Sequence, residues 1–502
     1  MPDGTADSQS SPMTRLVIVS NRLPVVLHKK TGKGWEAVPG SGGLVTALAP
    51  VLRDRGGVWI GWPGTTKTSG KELEAVLERF TQDSGFTFKP VSLTAEEAKK
   101  YYCGFANEIS WPLFHDFASR CNFDPSYWSS YQKVNRKFAL AIQENLASND
   151  YIWIHDYHLM NVAQELRGLG IKENIGFFLH IPFPPLDIFM RLPWRFQLLR
   201  SLLEYDLIGF QTLRDRRNFV QCVRTLIRGI HVHGKGRVLA VRFGDRDVRV
   251  GAFPISIDFQ EFADLAATDD VASRAWYIHE QLPEVQIILG IDRLDYTKGI
   301  IERLRAFRIA LLRYPELREK VVLVEVVVPS RREIPEYQGL KIEIERVVGD
   351  INGQFTRGSW VPIHYQFRSL DRTELVAYYR TAEIALLTPF KDGMNLIAKE
   401  YCAASLEEDG CLILSEFAGA AAQLQKGALL VNPHDTEGVA DAIYQAFKMS
   451  QDERRERMKK LRAFIRKQDI YWWVNSFLQA AIERRLDNFP VIEDYLPQID
   501  LP

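Results

Sequence analysis

The chain reads as an α/β protein of two doubly wound halves, each a parallel sheet covered by helices, with the two sheets facing across a cleft. Three features point there. Short apolar runs alternate with helical stretches, the pattern of parallel strands joined by crossover helices. The alternation stops near Asp258 and then restarts. Strands in both halves also end in polar, ligand-ready residues. These are Arg22, His155-Asp156 and His180 in the first half, and Arg293, Arg331 and Asp392 in the second. Ligands bind outside the carboxyl ends of such strands, so facing sheets would bring both sets to one crevice.

The first half opens after residues 1–14, a small, polar segment without the apolar core of a signal peptide, expected to be a disordered tail. Leu16 to Ser20 is a strand ending in Ser20-Asn21-Arg22. Pro39-Gly40-Ser41-Gly42-Gly43 leads into a helical run from Leu44 to Leu52, and Val58 to Trp62 is a strand closed by Pro63-Gly64. Residues 94–147 look helical and rich in aromatics that suit a core. Then come a strand from Tyr151 to Ile154, a helix from Leu159 to Leu169 and a strand from Ile175 to Leu179. A helix from Leu186 to Leu203 and a strand from Asp206 to Phe210 follow. Val238 to Phe243 and Val248 to Phe253 flank Gly244-Asp245-Arg246-Asp247 as a hairpin.

In the second half, strands run from Ile287 to Ile291, Val321 to Val328, Ile384 to Leu387, Cys411 to Leu414 and Leu429 to Val431, with helices between. The expected division is a first domain over 15–258, a second over 259–470, and a C-terminal helical segment over 471–502 packing back across both.

Composition agrees. At 502 residues the chain exceeds one ordinary core. Its 46% hydrophobic and 25% charged residues are those of a soluble protein. Lys+Arg and Asp+Glu both number 63, which argues against a general nucleic-acid or anionic-membrane binder. The five cysteines form no CxxC pair, so neither a zinc knuckle nor a disulfide framework is indicated and a reducing cytoplasm fits. No apolar run reaches membrane length; Val321 to Val328 is short and carries Glu325.

Several stretches carry candidate chemistry. Asp392-Gly393 is a turn between a buried strand and a helix start, where unpaired N–H groups and the positive dipole end suit an anion. Glu400, one turn further in, could accept bonds from sugar hydroxyls; an ordinary strand-to-helix connection is the plain alternative. Arg293 and Lys298 share one loop and suit a leaving diphosphate, against a surface pair bridged to Asp292 or Asp295. Gly40-Ser41-Gly42-Gly43 could cradle a phosphate but does not match GxGxxG, which weakens a dehydrogenase reading. His180 is either a positioning group stiffened by the following prolines or a core histidine. Asp156 is a hydroxyl ligand or a helix cap. Trp62, Tyr102 and Trp111 either wall a sugar or pack a core. Asp245-Arg246-Asp247 mimics a metal-binding DxD, but its hairpin setting leaves it without a metal. Two such domains with facing strand ends describe a glycosyltransferase of the GT-B type, built from two Rossmann-like domains.

Longer motifs sharpen this. In order come Ser20-Asn21-Arg22, Trp59-Ile60-Gly61-Trp62, Tyr101-Tyr102 with Trp111-Pro112, and Ile154-His155-Asp156-Tyr157-His158-Leu159. Phe177-Phe178-Leu179-His180-Ile181-Pro182-Phe183-Pro184, Asp292-Arg293-Leu294-Asp295-Tyr296, Pro329-Ser330-Arg331 and Asp392-Gly393-Met394-Asn395-Leu396 follow. From about residue 15 to about residue 480 the chain resembles the trehalose-6-phosphate synthases, retaining GT-B enzymes. The resemblance implies glucose transfer from a nucleotide-glucose, usually UDP-glucose, to glucose 6-phosphate. The nucleotide sugar is a substrate, so no cofactor and no metal are expected. A homo-oligomer is compatible with the sequence, which does not specify one.

By the same resemblance, Arg22, Tyr102 and Arg331 hold the acceptor phosphate, Trp62 and Trp111 line that side, and Asp156 binds the acceptor sugar. His180 and the backbone after Asp392, through Gly393, Met394, Asn395, Leu396, Ile397, Ala398 and Lys399, hold the sugar donor. Gly42 and Gly43 approach it, Arg293 and Lys298 clasp its diphosphate, Glu400 binds the ribose, and backbone near Leu370 borders the base. The catalytic set implied is Arg293, Lys298, Asp156, His180 and Asp392. Cys103, Lys391 and Pro185-Leu186 depart from the common pattern; Lys391 and Pro185 bear on base preference and acceptor fit. The chain lacks the phosphatase domain of longer relatives, so the phosphorylated product should leave intact. Two rival readings are a different phosphorylated acceptor, such as glycerol 3-phosphate, and a non-catalytic sugar-phosphate sensor.

Overall fold

The computed structural model describes residues 15–30, 34–39, 45, 48–49, 52–53, 56–66, 70–330, 335–482 and 492–497. Residues 1–14, Gly42, Gly43 and Arg331 lie outside the described residues. The first half contributes β1 (Leu16–Arg22), β2 (Val25–Lys30), β3 (Gly34–Pro39), β4 (Gly57–Trp62), β5 (Thr87–Pro90), β6 (Tyr151–His155), β7 (Ile175–Phe178), β8 (Leu207–Phe210), β9 (His231–His233), β10 (Val238–Phe243) and β11 (Arg246–Ala252). The second contributes β12 (Gln286–Arg293), β13 (Val321–Val328), β14 (Ile363–Gln366), β15 (Ile384–Leu387), β16 (Cys411–Ser415) and β17 (Leu429–Val431).

Nine strands form one sheet in the order β5-β4-β1-β6-β7-β8-β11-β10-β9, and six form the other in the order β14-β13-β12-β15-β16-β17. The second sheet is parallel throughout. The first is parallel up to β11, where the expected hairpin turns back as β10. β2 and β3 pair separately. In the first sheet the chain runs outward from β1 to β4 and β5, then crosses to β6 on the other side of β1. In the second it runs from β12 to β13 and β14, then crosses to β15. Each reversal opens a crevice at the strand ends, where ligands bind. Arg22 and His155 end the strands at the first reversal; Arg293 ends β12 at the second, with Asp392 just after β15.

Alternation along the strands decides which residues fill which layer. Val17 and Val19, Val58 and Ile60, Ile152 and Ile154 share a core with Tyr101, Phe105, Tyr131 and Phe138 from the helices over Ala98–Ser110 and Pro125–Asn145. The opposite face offers Trp153 and Phe178. It is covered by the helix Ile470–Ile482, which arrives after the second sheet is complete: Phe477 stacks on Trp153 at 4.3 Å between ring centroids, and Trp473 Nε1 donates to the Phe253 carbonyl at 3.1 Å.

Two helices differ from expectation. The stretch from Leu186 to Leu203 is split into Leu186–Phe189 and Arg195–Leu202, because Pro193 between them cannot donate to a helical ladder. The stretch from Leu159 to Leu169 begins with a tight turn, Tyr157–Leu159, before the helix Val162–Gly168.

Candidate active site

The acceptor side grows from β1. Trp59 Nε1 donates to Ser20 Oγ at 2.8 Å, and Ser20 Oγ donates to the Arg22 carbonyl at 2.7 Å. This fixes the strand end so that the exposed Arg22 guanidinium lies 4.1 Å over the Trp62 ring and 5.4 Å from Tyr102, a cation held on aromatic faces. Gly64, at φ +85°, leaves the space that this guanidinium occupies; a Cβ there would sit 1.7 Å from Arg22 Nη1. Tyr101 and Tyr102 stand on a wide-turned π-helix, Ala98–Ser110, a form that recurs at functional sites. Tyr101 points inward and its hydroxyl donates to Asn21 Oδ1 at 3.0 Å, while Tyr102 faces the cavity.

β6 and β7 supply the next pair. Asp156 has φ +76°, an uncommon conformation for a side-chain-bearing residue. Its Oδ1 accepts the His180 N–H at 3.2 Å. Burial pushes the Asp156 carboxyl up to about 7, opposed by the Tyr157 and His180 amides and by Arg293. Burial also draws His180 down to about 3, so its imidazole is neutral.

The second half faces these groups. Arg293 is exposed at the end of β12. Gly299, at φ +62°, lets the next helix start against the Thr388 carbonyl, which a Cβ would approach to 2.4 Å. Burial would depress the Lys298 ammonium, but Asp392, 2.6 Å away, and Asp292 raise it above the ordinary lysine range. Burial would raise Asp392, but Lys298 holds it below the usual carboxylate range. Asn395 donates to Asp392 at 3.2 Å and caps the helix Leu396–Ala404 by accepting the Ala398 N–H at 3.1 Å. Leu396 and Ile397 N–H therefore stand in the first turn without intrahelical acceptors. Gly393 fits against the other half: a Cβ there would lie 2.0 Å from the His180 carbonyl. Below the loop, fully buried Arg303 bridges Asp292 at 2.9 Å and Glu325 at 2.6 Å.

Arg22, Tyr102, Trp111, Asp156, His180 and Arg293 line one cavity of about 570 Å³. Trp62, expected to line this side, is buried beneath the Arg22 guanidinium and is not part of the cavity lining. Lys298, Asp392 and Asn395 are joined to one another beyond this lining, and Gly393 packs against the His180 carbonyl. Glu400 is half-buried, with Oε2 accepting the Tyr379 hydroxyl at 2.9 Å. Leu370 is half-buried in the loop after β14. Met394 and Ala398 are buried, so only their backbone could serve a ligand. The Lys399 ammonium turns away from the cleft, donating to the Ile255 carbonyl and to Gln423 Oε1, both at 2.7 Å, so its side chain ties the helix to the crossover between halves.

Two residues emerge that the sequence reading left without a role. Asp295 Oδ1 accepts Trp111 Nε1 from the opposite half at 3.4 Å, and its Oδ2 accepts the Tyr337 hydroxyl at 3.3 Å. Its place beside Arg293 was the available signal. His155 lies directly behind His180, and only the pairing of β6 with β7 shows that.

The model of glycosyltransferase family 20 matches residues 14–483. A trehalose-6-phosphate synthase of Mycolicibacterium gilvum is 42% identical over 486 residues, covering 95% of this chain and 96% of the relative. One from Mycobacterium leprae is 42% identical over 475 residues, covering 93% and 94%. Among solved structures, the UDP-forming α,α-trehalose-phosphate synthase of Burkholderia xenovorans in complex with glucose-6-phosphate superposes with a TM-score of 0.82 at 34% identity, covering 93% of this chain and 99% of that one. An Escherichia coli structure bound with UDP-2-fluoro glucose gives 0.83 at 35% identity, with the same coverage. With its two sheets in the GT-B arrangement, the chain belongs to glycosyltransferase family 20.

Proposed function

We propose that this chain is a retaining glucosyltransferase that moves glucose from UDP-glucose to glucose 6-phosphate, giving α,α-trehalose 6-phosphate and UDP. One observation carries the reading. The two topological switch points face each other, with an aromatic-backed cation, Arg22, on one side and the Arg293–Lys298 pair on the other. Cations contributed to one cleft by both halves suit a sugar phosphate opposite a sugar diphosphate. The relatives named above act on, or are bound to, these same two kinds of compound.

In this reading Arg22 and Tyr102 meet the acceptor phosphate and Asp156 accepts from an acceptor hydroxyl. His180 and the first-turn amides of Leu396 and Ile397 meet the sugar donor, and Glu400 its ribose. Arg293 and Lys298 take up charge as the diphosphate leaves. A double displacement would need a free carboxylate beside the anomeric carbon. Asp392 is engaged by Lys298 and Asn395, Asp156 by the His180 amide, and Asp187 is exposed on a separate short helix. We therefore favour front-face attack, in which the leaving diphosphate receives the acceptor proton. No cofactor enters this scheme. Among the described residues no cysteine pair forms a disulfide, and three of the five cysteines are buried, which favours a reducing compartment such as the cytoplasm. Among the described residues no helix is long and apolar enough to cross a membrane.

The test is product analysis with UDP-, GDP- and ADP-glucose against glucose 6-phosphate and glycerol 3-phosphate. A non-reducing disaccharide phosphate formed from UDP-glucose and glucose 6-phosphate is expected. Transfer only to glycerol 3-phosphate, or none at all, overturns the reading.

A further inference from the structure

In the cavity wall two histidines meet. His155, the last residue of β6, and His180, two residues past β7, both belong to the cavity lining, His155 with no exposed surface of its own. His155 Nδ1 and His180 Nε2 lie 3.2 Å apart. Burial keeps both rings well below the ordinary histidine range, so each is neutral and holds one proton. One ring must donate and the other accept.

The two arrangements are unequal. Were His180 the donor, His155 would carry its own proton on Nε2. That nitrogen is buried and has no hydrogen-bond partner among the described residues. Trp153 and Trp473 pack beside the ring, with centroids 4.8 and 6.4 Å away. A buried N–H without an acceptor is rarely tolerated, whereas a bare lone pair costs less.

We infer that His155 donates from Nδ1 to His180 Nε2, so that His180 carries its proton on Nδ1 and offers the cavity a hydrogen-bond donor. His155 is then a positioning residue: it sets the tautomer of its neighbour without touching substrate. The His180 amide bond to Asp156 and the close approach of Gly393 to the His180 carbonyl hold the loop from the other sides. The functional consequence rests on the glucosyltransfer reading. The glucose being transferred must present an oxygen lone pair to His180, and a donor lacking that hydroxyl loses the bond.

The experiment is two-bond ¹⁵N–¹H correlation on the full chain with labelled histidine, the His180 signal being identified by its loss in His180→Gln. Protonation of His180 on Nδ1 in the unsubstituted protein is expected; protonation on Nε2 overturns the inference, whether or not sugar is transferred. His155→Phe keeps the ring but cannot donate. It should release His180 to the other tautomer and lower kcat/KM for UDP-glucose about 10- to 100-fold. His155→Gln, which retains a donor, should recover part of the loss. Unchanged kcat/KM in folded His155→Phe would also overturn it. The expected tautomer in a protein that transfers no sugar would instead defeat the functional reading and leave the assignment standing.

Discussion

Asp156 holds two costs in one residue, a backbone at φ +76° and a carboxyl pushed by burial up to about 7. An unfolded aspartate titrates near ~4. Between about 4 and about 7 the folded chain therefore keeps a proton that the unfolded chain has released, and stability falls as pH rises through that window. Activity that uses the carboxylate runs the opposite way, declining up to about tenfold per unit as pH drops below about 7. Asp156→Asn should flatten the stability profile and abolish the acid limb of kcat/KM; parallel urea titrations and pH–rate profiles check both. Arg293 is a simpler case. It is exposed, so Arg293→Ala should fold normally while kcat falls about 10²–10³-fold. A normal melting curve with near-normal kcat would remove it from the reaction.

At the level of elements, the site stands on strand ends that a buried charge network keeps in place. Arg303 serves both Asp292 and Glu325, and its own side chain is fully buried. Arg303→Met would leave two buried carboxylates without their cation, a loss of about 3–5 kcal/mol, read from urea unfolding. The same view explains what was legible in the sequence. β1, β6, β12 and β15 are apolar runs because both their faces are covered, and their polar ends stand out against that background. β5, β9 and β14 went unassigned because they are edges. Thr87-Phe88-Lys89-Pro90, His231-Val232-His233 and Ile363-His364-Tyr365-Gln366 carry the polar residues and proline that edge strands use against stray pairing. The direction of the Lys399 side chain was not legible either. Helical rotation turns its ammonium to the Ile255 carbonyl, a partner far away in sequence. The His155–His180 contact joins residues 25 apart through strand pairing, which no local pattern records.

Across the whole molecule, the halves touch on both sides of the cavity. Trp111 reaches Asp295, and Lys391 pairs with Asp116 at 2.6 Å. At the crossover, Lys399 binds the Ile255 carbonyl and the Ile470 amide binds the Ile257 carbonyl at 2.9 Å. The Lys391–Asp116 pair is part-exposed, so its contribution is about 0–1 kcal/mol. Lys391→Ala and Asp116→Ala should each raise KM for UDP-glucose by no more than about fivefold. The double variant should be no worse than either single one, which a double-mutant cycle reads directly. Additive losses would mean that the two residues act separately.

The helix Ile470–Ile482 carries a further consequence. It belongs to the far end of the chain, yet Trp473 and Phe477 roof the sheet that contains β6 and β7. As the polypeptide emerges from the ribosome, the patch of that sheet around Trp153 and Phe178 must wait uncovered by this helix while more than two hundred further residues are made. The lobe synthesised first is thus completed only when a helix made after the second sheet docks on it.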